Sequence, residues 1–149
     1  MENDHQELYL YLICHDRNDI KTHTYIGCVS DFNSRLAQHN GQIPGGPRIT
    51  RRAAGSWFPV LILKLPEKRS FNSKVLKREW KQSSRGLESR VKKGLLLACE
   101  YNLSVLIQKQ SNISLQIIQT LQNFLEKSET PGRVKIKPEE WEKLLNEDL

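Results

Sequence analysis

Two short apolar runs near the amino terminus constrain the fold more than any other feature of the sequence. The first covers residues 8–14 and the second covers residues 24–29. Apolar and aromatic runs of this length, bounded by polar residues, are typical of buried β-strands. The mostly polar segment between them is too short for a crossover helix, so the two strands are predicted to pair in antiparallel fashion.

The rest of the chain reads as one further strand and several helices. Asp31 is a candidate cap for a short helix that ends near Asn40 and Gly41. Residues 41–55 are predicted to form an exposed basic loop, and residues 57–65 a third strand. Helices are expected from Ser70 or Asn72 through Trp80, after Gly86, and at residues 114–127 and 138–145. Residues 103–107 fit either a strand or the start of a helix.

This order predicts an α+β protein. We expect a small, mainly antiparallel, three-stranded sheet flanked by helices, with a helical carboxy-terminal extension. Residues 1–85 are assigned to the first domain, and residues 86–149 to the extension that packs on it.

The basic residues are concentrated in the middle third of the chain. Residues 44–93 carry fourteen basic and three acidic side chains, whereas residues 1–43 and 94–149 have net charges of −3 and −2. A basic concentration of this kind favours a polyanionic partner such as nucleic acid. The alternative is a solvated face that only keeps the protein soluble.

Cysteine spacing, hydropathy and the first residues indicate where in the cell this protein is expected. Cys14, Cys28 and Cys99 lie far apart and match no zinc spacing, so we expect reduced thiols and no metal site built on cysteine. No apolar run approaches the ~20 residues of a membrane span, and no contact with a membrane is expected. The acidic start, Met1–Asp4, differs from a secretory signal, so an intracellular location in the nucleus or the cytoplasm is expected.

Two tyrosines lie on the neighbouring predicted strands. Tyr11 is in the first, and Tyr25 is in the second, on the same strand face as Gly27. A glycine at that point lets a phosphate or a neighbouring backbone approach the face. Because tyrosine favours strands, ordinary core or cross-strand packing is the alternative interpretation.

Arg35 and His39 follow on the first predicted helix. They are four residues apart, so they project from one helical face. Beside the tyrosines and the basic loop they can form one wall of an anion site, in which Arg35 binds phosphate oxygens and His39 exchanges protons. Taken alone, such a pair is ordinary solvated surface.

Glu79 is the only carboxylate between Lys68 and Arg85. It either balances local charge through an ion pair with Arg78 or Lys81, or binds a divalent cation. Mg²⁺ needs only one or two protein carboxylates when phosphate completes its coordination shell. The spacing leaves both interpretations open.

Taken in order, these residues resemble the GIY-YIG nucleases, most of all their structure-specific (Slx-type) branch. Tyr25-Ile26-Gly27 matches the second family signature, and the first signature reads Tyr9-Leu10-Tyr11, with its tyrosine kept and its glycine replaced. The stretch 35–41, followed by Gly45-Gly46 and an arginine cluster, is the most specific part. The resemblance ends at Glu79-Trp80 and covers about residues 9–82.

The resemblance implies an endonuclease that uses one Mg²⁺ or Mn²⁺ ion and leaves 5′-phosphate and 3′-hydroxyl ends. Tyr11 would accept a proton from the attacking water, directly or through His39, while Tyr25 would orient the phosphate or the water. Arg35 would offset the charge that grows on the phosphate, and Glu79 would hold the metal.

The implied partner is DNA, with branched forms such as flaps, forks and four-way junctions as substrates. The branched-DNA members carry a zinc module that docks to a scaffold subunit, and this sequence has no cysteine cluster to match it. Binding to a scaffold subunit therefore stays undecided. The helical extension could instead support packing or mediate homodimerisation. Seven basic residues are candidate phosphate contacts that read no bases, in the loop and around Glu79: Arg48, Arg51, Arg52, Lys74, Lys77, Arg78 and Lys81. Trp57 and Trp80 are expected in the core.

Two alternatives to a branched-DNA nuclease stay open. One is a GIY-YIG enzyme of homing or restriction type. The other is a DNA-binding module that kept the scaffold and lost the activity, against which the retention of all five candidate site residues argues.

Overall fold

A four-stranded antiparallel sheet organises the computed structural model, which describes residues 8–20, 23–65, 72–101 and 103–106. The strands are β1 (Tyr9–Cys14), β2 (Thr24–Val29), β3 (Phe58–Lys64) and β4 (Ser104–Leu106), in the spatial order β2-β1-β3-β4. The α+β class and the antiparallel pairing are confirmed. The helices predicted at 114–127 and 138–145 lie outside the described residues.

The sheet has one strand more than the three that were predicted. β4 pairs with β3, with Val105 opposite Leu63, and Val105 is buried. This pairing satisfies backbone groups along the outer edge of β3, which a helix at this position would leave without partners. Residues 104–106 therefore form a strand.

The central strand, β1, is buried on both faces. Leu10 and Leu12 point to one face, and Tyr11 and Ile13 point to the other. Because β2 and β3 flank β1, the Tyr11 backbone lies opposite Gly27 on one side and Ile62 on the other. A side chain on β1 is thus surrounded by the sheet before any helix is added.

Four helices complete the described fold. They are α1 (Phe32–His39), α2 (Arg48–Arg51), α3 (Ser73–Gln82) and α4 (Leu87–Tyr101). The Asp31 side chain caps α1 by accepting from the Ser34 amide at 3.2 Å, and Asn72 caps α3 in the same way. The short helix α2 interrupts the segment predicted to be a loop, since Pro47 provides an extended residue directly before it.

Each face of the sheet has its own core. Helices α3 and α4 cover the first face, on which Trp80 is fully buried, and α1 and the segment after α2 cover the second, on which Trp57 is buried. The expectation that both tryptophans belong to the core is confirmed. The three cysteines are free. None of the described helices combines the length and the apolar composition that crossing a membrane requires.

Candidate active site

Tyr11 lies at the centre of the second face and is only 1% exposed. Its ring covers Gly27, where a Cβ would collide with the phenol. The glycine of the Tyr-Ile-Gly signature therefore makes room for a tyrosine of the neighbouring strand, whereas the sequence had predicted the approach of a phosphate or a neighbouring backbone.

A chain of hydrogen bonds runs from Tyr11 on the central strand through α1 to α2. Its hydroxyl oxygen lies 2.7 Å from Nε2 of His39, which is fully buried. Nδ1 of the same imidazole lies 2.9 Å from the Thr50 hydroxyl, which itself donates to the Pro47 carbonyl at 3.0 Å. Both ring nitrogens of His39 thus have one partner each.

Burial keeps both members of the Tyr11–His39 pair neutral at neutral pH. Burial raises the pKa of the Tyr11 phenol far above its usual value, and the Arg35 guanidinium, which faces the hydroxyl, lowers it again in part. Burial, and in second place the charge of Arg35, lower the pKa of His39 to about 4. In the free protein the shared proton therefore stays on the phenol.

Tyr25 is the half-buried neighbour of this pair. Its ring centroid lies 6.3 Å from that of Tyr11 and 4.9 Å from that of His39. On its other side, Nζ of Lys81 lies 5.9 Å from the ring centroid, within range of a cation–π contact. Tyr25 therefore connects the buried hydrogen bonds to a basic part of the surface.

Arg35 lies one helical turn before His39 on α1. Its Nη1 donates to the Gln38 side chain at 2.7 Å and to the Gly45 carbonyl at 3.3 Å. A guanidinium has five N–H donors, so these two contacts leave others for a phosphate. The backbone of Gly46 packs so closely on Gln38 that a Cβ there would collide with it. The Gly45-Gly46 pair thus allows the loop to dock against α1 beside Arg35.

Thr50, Gln38 and Asn40 also make contacts around the site, and the sequence had suggested no such role for them. The side chain of Asn40 bonds to both backbone groups of Trp57, accepting from its amide at 2.8 Å and donating to its carbonyl at 2.9 Å. Thr50 is buried on α2, whereas its neighbours Arg48 and Arg51 are exposed. A single threonine between arginines gives no distinctive pattern, and only the unrecognised helix α2 would have shown that it faces inward.

The basic residues of α3 form one stripe. Four of them follow the spacing i, i+3, i+4 and i+7, which places them on the same side of a helix: Lys74, Lys77, Arg78 and Lys81. Of these, Lys81 reaches Tyr25. Together with the exposed Arg48, Arg51 and Arg52 on the other side of the cluster, they give the surroundings a strongly positive charge.

Glu79 lies outside this stripe. It is two residues from Lys77 and Lys81, which corresponds to about 200° around the helix axis. The charges of Glu100 and, second, of Glu79 raise the pKa of Tyr101 on α4, whereas the groups that shift the pKa of Tyr11 do not include Glu79. Within the described part of the chain, its half-buried carboxylate forms no ion pair.

Four of the five predicted site residues are thus brought together, namely Tyr11, Tyr25, Arg35 and His39. Among the described residues, no hydrogen bond or ion pair joins the Glu79 side chain to these four, whereas Lys81 of α3 lies over the Tyr25 ring. The donor chemistry of Glu79 fits a divalent cation, because its carboxylate oxygens are not occupied by a described cationic side chain. Its assignment as a metal ligand stays a prediction.

Neither the family models nor the curated protein sequences give a match to this chain. The functional interpretation therefore depends on the residues and the geometry of this cluster.

Proposed function

We propose that this protein is a DNA endonuclease of the GIY-YIG type, which hydrolyses a phosphodiester bond in branched DNA with one divalent metal ion. One observation carries the proposal: the Tyr11 hydroxyl lies 2.7 Å from His39 Nε2 while Arg35 faces the same hydroxyl. A phenol, a proton acceptor and a guanidinium at one point are suited to activating water next to a phosphate.

The proton path follows from these contacts. As a water molecule attacks phosphorus, its O–H bond breaks and the proton passes to the Tyr11 oxygen, while the phenolic proton passes to His39 Nε2. The P–O3′ bond then breaks, and the departing 3′-oxygen takes a proton from solvent. The products are a 5′-phosphate and a 3′-hydroxyl.

The charges around His39 favour this proton transfer only when substrate is bound. In the free protein the pKa of His39, about 4, disfavours its protonation. A phosphate held by Arg35 introduces negative charge close to both groups, which raises the proton affinity of the imidazole. Arg35 also offsets the charge that grows on the phosphate oxygens. Glu79 would hold the divalent cation, which polarises the phosphate and stabilises the leaving oxygen.

The surface charge supports DNA as the substrate. Lys81 at Tyr25 continues into the α3 stripe, and the exposed arginines of α2 and Arg52 lie beyond Thr50. Such contacts bind phosphates whatever the base sequence, which suits recognition of a branched shape.

A DNA-binding module without catalytic activity is the second candidate. Two observations favour it: Tyr11 is almost fully buried, and the described electrostatic partner of Glu79 is Tyr101 on α4. In this case the Tyr11–His39 pair would serve only to order the second core, and the basic residues alone would bind DNA.

Cleavage of synthetic forks, flaps, four-way junctions and linear duplex, with Mg²⁺ or with a chelator, separates the candidates. We expect Mg²⁺-dependent cutting of the branched substrates in preference to linear duplex. Binding to all of them without cutting would establish the second candidate, and equal cutting of linear and branched DNA would favour a homing or restriction type.

Two variants test the site itself. Glu79→Gln and Arg35→Ala are each expected to reduce cleavage by at least about 100-fold, with DNA binding retained. Glu88→Gln is the matched control, because Glu88 is an exposed carboxylate on α4 that pairs with Lys92 at 3.1 Å. Near-native cleavage by Glu79→Gln would remove that residue from the site and leave the metal without its proposed ligand.

A further inference from the structure

We infer that Thr50 is a positioning residue, whose hydroxyl fixes the tautomer of His39 so that Nε2 is the hydrogen-bond acceptor facing the Tyr11 phenol. The consequence for catalysis rests on the function proposed above. The assignment of the tautomer itself rests on the geometry alone.

The Pro47 carbonyl can only accept hydrogen bonds. The Thr50 hydroxyl lies 3.0 Å from this oxygen and has a single proton, which it donates there. Towards His39 Nδ1, at 2.9 Å, the same hydroxyl oxygen then acts as an acceptor. Nδ1 must therefore carry the proton of the neutral imidazole.

The proton on Nδ1 determines the state of the other ring nitrogen, Nε2. A neutral imidazole has one N–H, so His39 Nε2 has a free lone pair and accepts from the Tyr11 hydroxyl at 2.7 Å. The Arg35 guanidinium, which lies close enough to this hydroxyl to lower its pKa, can only donate. The Tyr11 hydroxyl thus gives its proton to His39 and keeps its lone pairs for the Arg35 guanidinium nearby.

The reversed network is inconsistent with these neighbours. With the proton on Nε2, both His39 and Arg35 would direct donors at the Tyr11 oxygen. The phenolic proton would then have no described acceptor in an almost fully buried site. The Thr50 hydroxyl would also have to turn away from Pro47 to donate to Nδ1. The arrangement with Nδ1–H satisfies every group, which is the normal state of buried polar atoms.

The backbone around Thr50 keeps its hydroxyl in place. The Trp57 indole N–H donates to the Thr50 carbonyl at 2.8 Å, and Asn40 holds the Trp57 amide from the end of α1. The Thr50 amide also donates to the Pro47 carbonyl, at 3.2 Å. This last bond survives the loss of the hydroxyl, so a substitution can remove the side-chain contact and preserve the turn.

The test compares Thr50→Val, which keeps the shape and removes the hydroxyl, with Thr50→Ser, which keeps the hydroxyl. The ¹⁵N resonances of the His39 ring report the tautomer directly, and His39→Gln identifies those resonances by their loss. We expect a protonated Nδ1 and an unprotonated Nε2 in the unmodified protein and in Thr50→Ser. In Thr50→Val the population should shift towards Nε2–H.

Cleavage of the branched substrate provides the second measurement. Thr50→Val is expected to lower the rate by about 10- to 100-fold, the range found when a group that orients a metal-bound imidazole is removed, and Thr50→Ser should restore most of it. Matching thermal unfolding curves for the two variants establish that both are folded.

The outcomes separate the inference from the proposed function. A protonated Nε2 in the unmodified protein, or an unchanged single tautomer in Thr50→Val, overturns the inference whether or not DNA is cut. The expected tautomers in a protein that cuts no DNA would support the role of Thr50 and contradict the proposed nuclease.

Discussion

The two faces of the sheet are both buried, but they are built from different chemistry. The face under α3 and α4 is packed with leucine, valine and alanine around Trp80. The face under α1 and the segment after α2 holds a buried hydrogen-bonded chain from Tyr11 to Thr50, surrounded by aromatic rings. Adjacent residues of one strand, Leu10 and Tyr11, belong to these two environments.

This difference between the faces assigns stability mainly to the first and precise atomic positions to the second. Apolar packing is non-directional and gains free energy roughly in proportion to the area buried, so the first face can stabilise the fold without fixing individual atoms. Hydrogen bonds between buried polar groups contribute less net free energy, but they fix distances and tautomers. We therefore expect the first face to tolerate isosteric apolar changes, and the second to lose function after changes of single atoms.

The largest expected effect is a difference in the free energy of unfolding between Trp80→Ala and Tyr11→Phe. Removing the fully buried indole should lower the free energy of unfolding by about 3–5 kcal/mol, because the cavity remains largely unfilled. Tyr11→Phe removes one oxygen and leaves His39 Nε2 without its partner, for a cost of about 1–3 kcal/mol. Urea denaturation measures both values.

The cleavage rates of the same two variants should show the opposite order, with the greater loss in Tyr11→Phe. Tyr11→Phe is expected to lose about 10²- to 10⁴-fold in rate, the contribution of a general base, whereas the folded fraction of Trp80→Ala should keep its activity. If Tyr11→Phe cut DNA at the native rate, the second face would have to be regarded as a structural core like the first.

A smaller effect is expected from the pH dependence of stability. His39 has a pKa of about 4 when folded, against about 6.5 when unfolded, so between these values the unfolded chain binds a proton that the folded chain does not. Stability is therefore lost as the pH falls from 6.5 to 4, by up to about 3 kcal/mol from this residue.

Unfolding of the unmodified protein and of His39→Gln across this pH window isolates the contribution of His39. The other histidines and the carboxylates are common to both proteins, so their contributions cancel in the difference. Parallel pH profiles for the two proteins would show that His39 is not held neutral by burial.

The smallest expected effect compares two glycines, one on each face. Gly94→Ala places a methyl group against Trp80 and Leu61 on the apolar face, while Gly27→Ala places it against the Tyr11 phenol. For Gly94→Ala the better helix propensity of alanine, about 1 kcal/mol, offsets much of the overpacking. For Gly27→Ala no such gain exists, and we expect about 1–3 kcal/mol of destabilisation.

Function should distinguish these two variants more clearly than stability. The Tyr11 ring has to tilt to admit a methyl group at residue 27, which pulls its hydroxyl away from His39. Cleavage by Gly27→Ala should fall with its stability, and cleavage by Gly94→Ala should stay unchanged. Equal rates for both would mean that the position of the Tyr11 ring is unimportant.

Much of this architecture follows from local sequence patterns. The strands around Tyr11 and Tyr25, the Asp31 cap and the shared helical face of Arg35 and His39 were predicted because periodicity and capping are properties of neighbouring residues. β4 was left open, since a three-residue strand depends on its partner β3 rather than on its own pattern.

The missed features of the site are contacts between distant segments. Tyr11 covers Gly27 because strand register sets them opposite each other, and register depends on the whole sheet. Thr50 meets His39 only because a short helix turns it inward. Helical spacing alone predicts that Glu79 lies opposite the basic stripe. Which side of α3 faces Tyr25, however, depends on how Leu76 and Trp80 pack in the core.

The single turn of α2 carries side chains in two different environments. Its arginines point into solvent, while Thr50, between them, is anchored to the imidazole. Because Thr50 and these arginines share one helical turn, DNA phosphates bound at the arginines, as proposed above, would also act on the hydroxyl that orients His39.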